Sequence, residues 1–194
     1  MNLLYLSYNQ IYDISENLYK LTNLRHLKIN DNLLTNISNN LLNLSELNSL
    51  SIGSNPFNSY IPDNDIPFPI NFSKLIILNT LDINNMDSIS FKNWIFPKSL
   101  KYLVAVNCNI KNKDLMHIES MVINLIVLII PKNPIYEITN ELDKFIHLKV
   151  LNLSNCKLEK FKISRNIHLK SLLLRDNLFS VFPSSICELT TLRE

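Results

Sequence analysis

Apolar residues return at fixed intervals along this chain in a block that reads L-x-x-L-x-L-x-x-N-x-L. Counting the first leucine as position one, eight blocks begin at Met1, Leu24, Leu47, Leu78, Leu100, Leu125, Leu148 and Leu169, and a ninth opens at Leu192. Position four is leucine throughout: Leu4, Leu27, Leu50, Leu81, Leu103, Leu128, Leu151 and Leu172. Position six is always apolar, and position eleven fails only at Ser88. Across positions one, four, six and eleven, 31 of 32 sites are apolar in a chain that is 46% apolar overall, so the recurrence is a repeat rather than composition. Within each block the alternation has period two, which predicts a short strand with one face inward and the other in solvent. A unit this small cannot bury its own apolar face, so neighbours must stack and share a core.

The period and the signature resemble the leucine-rich repeat family over essentially all of residues 1–194. The resemblance implies a single α/β domain. Its fold is a right-handed solenoid or horseshoe arc, with a parallel concave sheet of about eight strands and a convex side of loops and short helices. At about 4.8 Å per strand the sheet should be about 34 Å wide. The return segments, such as Phe179-Ser180-Val181-Phe182-Pro183 running on to Ile186 and Leu189, resemble the 23-residue intracellular subclass found in Ras-binding scaffolds and in repeat-bearing signalling enzymes.

Position nine carries Asn9, Asn32, Asn55, Asn133 and Asn177, with Cys108 and Cys156 in two further units. A short amide can pair main-chain groups where the chain leaves the strand, so these asparagines are read as structural. Met86 cannot do that work, which predicts an irregularity over Met86 to Ser88. Asp114, followed by Leu115, Ile118 and Met121, predicts a short convex helix with Asp114 as its N-cap. The one large insertion, 56–70, holds four prolines and predicts an extended loop. It is either a tolerated excursion or a recognition loop presenting Tyr60, Ile61 and Phe68.

Function in such a scaffold falls to the outward strand positions. Units one to four are expected to be mainly polar there: Arg25, His26, Lys28, Asp31, Ser49, Ser51, Thr80, Asp82 and Asn84. Units five to eight offer Tyr102, Val104, Val106, Val127, Ile129, Val150 and Leu173, bordered by Lys132, Asn152, Arg175 and Asp176. An apolar stripe with a charged rim is how a protein-binding hot spot looks, although β-propensity alone also fills strand sites with Val and Ile. Tyr102, Val104, Val127, Ile129, Lys132, Val150, Asn152, Leu173 and Arg175 are the partner-binding candidates.

Charge changes the picture little. A formal net charge of +2 with 19% charged residues exerts no strong pull toward nucleic acid or an anionic membrane. The basic run Lys157, Lys160, Lys162, Arg165 and Lys170 is interrupted by Glu159 and reads as solvated surface. The longest apolar run, Leu125 to Ile130, is too short to span a bilayer, and Met1 opens straight into a strand pattern without a leader. Cys108 and Cys156 stand two repeats apart, about 10 Å, too far for a disulfide. That points to a reducing, cytoplasmic setting, while an extracellular one stays open. The sequons at Asn36, Asn43, Asn71 and Asn152 are what so much asparagine and serine produces. His26, His117, His147 and His168 lie in different units with no triad spacing, and a single glycine, Gly53, leaves no phosphate loop. No catalytic residue, metal site or cofactor is expected. The block opening at Met1 and the start of a ninth unit predict a fragment without caps, flanked by further repeats of a longer parent chain. The resulting expectation is a non-catalytic scaffold that binds a protein partner on its concave face. The alternatives are the recognition arm of a larger signalling enzyme (kinase, phosphatase or GTPase) and an extracellular receptor or adhesin.

Overall fold

The computed structural model describes residues 1–57, 71–86, 91, 94–139, 141–163 and 168–194. The expected loop in 56–70 therefore falls almost wholly outside the described residues, as do Asp87, Ser88 and Arg165.

Eight three-residue strands form one parallel sheet in strict chain order: β1 Leu3–Tyr5, β2 His26–Lys28, β3 Ser49–Ser51, β4 Thr80–Asp82, β5 Tyr102–Val104, β6 Val127–Ile129, β8 Val150–Asn152 and β10 Ser171–Leu173. The register is constant, so Leu4, Leu27, Leu50, Leu81, Leu103, Leu128, Leu151 and Leu172 stand as successive rungs. From Leu27 to Leu151 every rung leucine is fully buried, as is every position-one leucine from Leu24 to Leu169. In the outermost full units, Leu4, Leu6, Leu172 and Leu174 are only partly buried, unit eight being flanked on its outer side by the short 192–194 segment alone.

Main-chain bonds run the length of the sheet. The position-six N–H of each unit donates to the position-five carbonyl of the next, from Leu6 to Lys28 through Leu153 to Leu173. The position-eight N–H donates to the next position-seven carbonyl, from Tyr8 to Asn30 through Asn155 to Arg175. Position eight is left-handed in every unit: Tyr8, Asp31, Ser54, Asn85, Asn107, Lys132, Asn155 and Asp176 all have φ between 53° and 59°. This turn swings position nine under the sheet. Asn and Asp tolerate it best, which explains five of the eight.

The asparagine ladder is as expected. Asn133 donates to the position-six carbonyls of its own unit and the one before, Ile130 and Ala105, both at 2.9 Å. Its carbonyl oxygen accepts the N–H groups of Cys108 and Ile110. Asn32, Asn55 and Asn177 repeat this bridge, whereas Asn9 in the outermost unit reaches only its own Leu6 and Ser7 carbonyls. Where cysteine replaces the amide, the thiol still reaches the preceding position-six carbonyl: Cys108 Sγ lies 3.0 Å from Ile83 O and Cys156 Sγ 3.2 Å from Ile130 O. A thiol is a poor acceptor, so in unit six the Ile135 N–H turns to the Cys156 carbonyl at 3.0 Å. Both sites also need a second left-handed residue, Asn109 or Lys157.

On the return side, units one, two and eight make single 3-10 turns, Glu16–Lys20, Asn39–Asn43 and Ser184–Glu188, and unit five makes the expected helix, α1 Asn112–Met121. Asp114 is not its N-cap. The helix starts two residues earlier, and the Asp114 carboxylate accepts the Lys111 N–H at 2.9 Å from inside the first turn. A second sheet, β7 Glu137–Ile138 with β9 Lys160–Phe161, joins the return segments of units six and seven. Two residues per strand leave no periodicity to read. Met86 is buried in unit four, where Phe91 stacks on Trp94 at 4.9 Å and Phe72 and Phe96 lie at 5.7 Å from the same indole.

Candidate protein-binding surface

Two side-chain rows project from the concave side. One runs Leu3, His26, Ser49, Thr80, Tyr102, Val127, Val150, Ser171; the other runs Tyr5, Lys28, Ser51, Asp82, Val104, Ile129, Asn152, Leu173. Five of the expected site residues, Tyr102, Val104, Val127, Ile129 and Val150, are therefore direct neighbours in one patch. Leu173 stands diagonal to Val150, beyond Ser171 and Asn152. The patch is only partly open: its valines and Ile129 are half-buried, Tyr102 is 38% exposed and Leu173 42%.

Asn152 uses its carbonyl oxygen to accept the Ser154 N–H. Lys132 and Arg175 do not border the strands. They lie at the C-terminal rim, Lys132 in the left-handed row and Arg175 paired with Asp176 at 3.9 Å, both carried well out in solvent. Lys132 and Lys157, with Asn107, Asn109 and Asn155, line a shallow cleft of about 480 Å³ there.

The first half of the face carries a polar network centred on Asn30, Ser51 and Asp82. Ser51 Oγ shares its one proton between Asn30 Oδ1 at 2.9 Å and Asp82 Oδ2 at 3.2 Å, Ser7 donates to Asn30 Oδ1, and Asn30 donates to Asp31. Burial holds the Asp82 carboxyl above the usual range, opposed by hydrogen bonds from Asn84 and Ser51. Unit one departs from the expected polar character, because Leu3, Tyr5 and Tyr8 are all well exposed. They sit at positions three, five and eight of a block whose repeat phase was already legible, so the phase alone located them. Lys28 Nζ stands 5.0 Å over the Tyr5 ring.

Among the described residues no three His, Cys, Asp or Glu side chains are grouped to hold a metal ion, and no helix is long and apolar enough to cross a membrane. Of the histidines, His117 is engaged with the Trp94 carbonyl at 2.9 Å.

No protein-family model matches the chain, and no curated protein matches it. Solved structures do. A leucine-rich repeat protein of Leptospira interrogans superposes with a TM-score of 0.74 at 24% identity, over 99% of this chain and 47% of that one. The chain is a leucine-rich repeat solenoid. TLR13, in its complex with ssRNA13, matches the solenoid with a TM-score of 0.71 at 25% identity, over 94% of this chain and 26% of its own. Internalin C2 of Listeria monocytogenes gives 0.62 at 21% identity, over 98% and 77%. The solenoid thus spans about half the length of the Leptospira protein and about a quarter of TLR13.

Proposed function

We propose that the solenoid is a non-catalytic interaction module that holds a protein partner on its concave face, anchored on Tyr102, Val104, Val127, Ile129 and Val150. The observation that carries this reading is the contrast along one rigid sheet. In units two to four the central polar side chains Asn30, Ser51 and Asp82 are tied to one another, whereas units five to seven bring five apolar side chains together on the same face. A preformed apolar patch costs little ordering on binding and excludes water from its centre. Valine and isoleucine offer no base-stacking platform, which favours protein over the single-stranded RNA that TLR13 holds.

The 3-10 return turns support membership of the 23-residue intracellular subclass. The buried thiols Cys108 and Cys156 support a reducing compartment. Alanine at Tyr102, Ile129 and Leu173 together should weaken capture of the concave-face partner by at least about 100-fold, with an unchanged circular dichroism spectrum. Retained binding rejects the site.

A further inference from the structure

The edge of the sheet where the chain enters each strand carries a charge pattern that the overall balance hides. Position two is linked from rung to rung by main-chain bonds in the order Asn2, Arg25, Asn48, Asn79, Lys101, Ile126, Lys149, Lys170, Arg193. At about 4.8 Å per step this is a continuous row along the sheet edge. Its first half is neutral apart from Arg25, which is paired with Glu46 at 3.5 Å. Its second half is cationic, and Lys98 and His147 join Lys101 and Lys149 around a cleft of about 410 Å³ whose other walls are Ser99, Asn124 and Ile126. Among the described residues no carboxylate lines that cleft. Among the described residues none of Lys98, Lys101, Lys149, Lys170 and Arg193 is in an ion pair, whereas Lys144 and Arg175, elsewhere on the surface, are. The row adjoins the apolar patch: Lys101 immediately precedes Tyr102, Ile126 precedes Val127 and Lys149 precedes Val150.

We propose that this basic rim receives acidic side chains of a protein partner whose apolar residues lie on the Tyr102 to Val150 patch; the inference rests on the concave-face reading above. Unpaired ammonium groups one or two rungs apart match carboxylates carried at intervals along an extended or helical segment, and they fix its register against the stripe. A nucleic acid strand could use the lysines but would leave four aliphatic side chains of the patch without a role, since its bases need aromatic faces and Tyr102 alone supplies one.

The test is selection from a random dodecapeptide display library on the wild-type solenoid and on K101Q/K149Q/K170Q, whose substitutions are all on the surface. Wild type should select peptides with Asp or Glu beside apolar residues. The lysine variant should keep the apolar residues and lose the acidic ones. A selected peptide should bind the lysine variant about tenfold more weakly, with a flatter salt dependence. No acidic enrichment on wild type, or equal binding to the lysine variant, overturns the rim. Acidic peptides indifferent to Y102A/I129A/L173A overturn the apolar patch and leave the rim standing. A single-stranded oligonucleotide that binds more tightly than any peptide, and does so through the lysines, assigns the rim to nucleic acid and overturns the proposal.

Discussion

At the scale of single residues, stability and reactivity follow from what sits at position nine. Asn133 is 1% exposed and joins two units through both ends of its amide. Asn133→Ala strands two buried N–H groups and two carbonyls, so urea denaturation should show a loss of about 3 kcal/mol. Asn9→Ala removes only exposed bonds and should cost about 0.5 kcal/mol or less. The cysteines divide in the same way. Burial pushes the Cys156 thiol up to about 11, and Cys108 is equally enclosed, whereas Cys187 is exposed. In native protein near pH 8 an aromatic disulfide reagent should titrate one thiol quickly and three after denaturation. Fast native reaction of a second thiol would contradict the burial of the ladder cysteines.

At the scale of elements, each strand is set by two leucines and the exit turn that follows. Gly53 marks the tightest exit, since a Cβ there would stand 2.4 Å from the backbone nitrogen and oxygen of Asn84 in the next unit. Backbone atoms cannot swing aside as side chains can. Gly53→Ala should therefore cost about 1–3 kcal/mol in thermal denaturation, and a variant as stable as wild type would disprove the contact. Much at this scale was legible beforehand. Period-two leucines placed all eight strands, their inward rungs and the asparagine bridge, because burial and main-chain pairing act on every unit alike. The left-handed exit at position eight left only a faint trace in its Asn and Asp residues, because Tyr8, Ser54 and Lys132 adopt it too. The two-residue return strands and the true start of α1 depend on contacts between units rather than on pattern within one. For the binding surface, the phase of the repeat identified which side chains face outward. It did not show that Asn152 and Ser171 separate Leu173 from the patch, since lateral neighbours come from different blocks, whereas Lys132 and Arg175, at positions eight and seven, lie past the strand in their own blocks and so on the far rim.

At the scale of the whole molecule, a solenoid has no contact between distant units, so stability is a chain of neighbour terms. Amide exchange should be slowest at rung positions Leu50 to Leu128 and at least about tenfold faster at Leu4 and Leu172, which are only partly buried. Uniform protection from end to end would instead require a global cooperative unit. The same independence shapes what natural variation can do with this scaffold. Because every strand exit is clamped by its own left-handed residue and its own bridge beneath the sheet, the outward side chains of one unit can be exchanged without moving the next. Each unit is then a cassette, and specificity can drift one rung at a time, through an exchange such as a lysine for an asparagine at one rim position, while the fold is inherited intact.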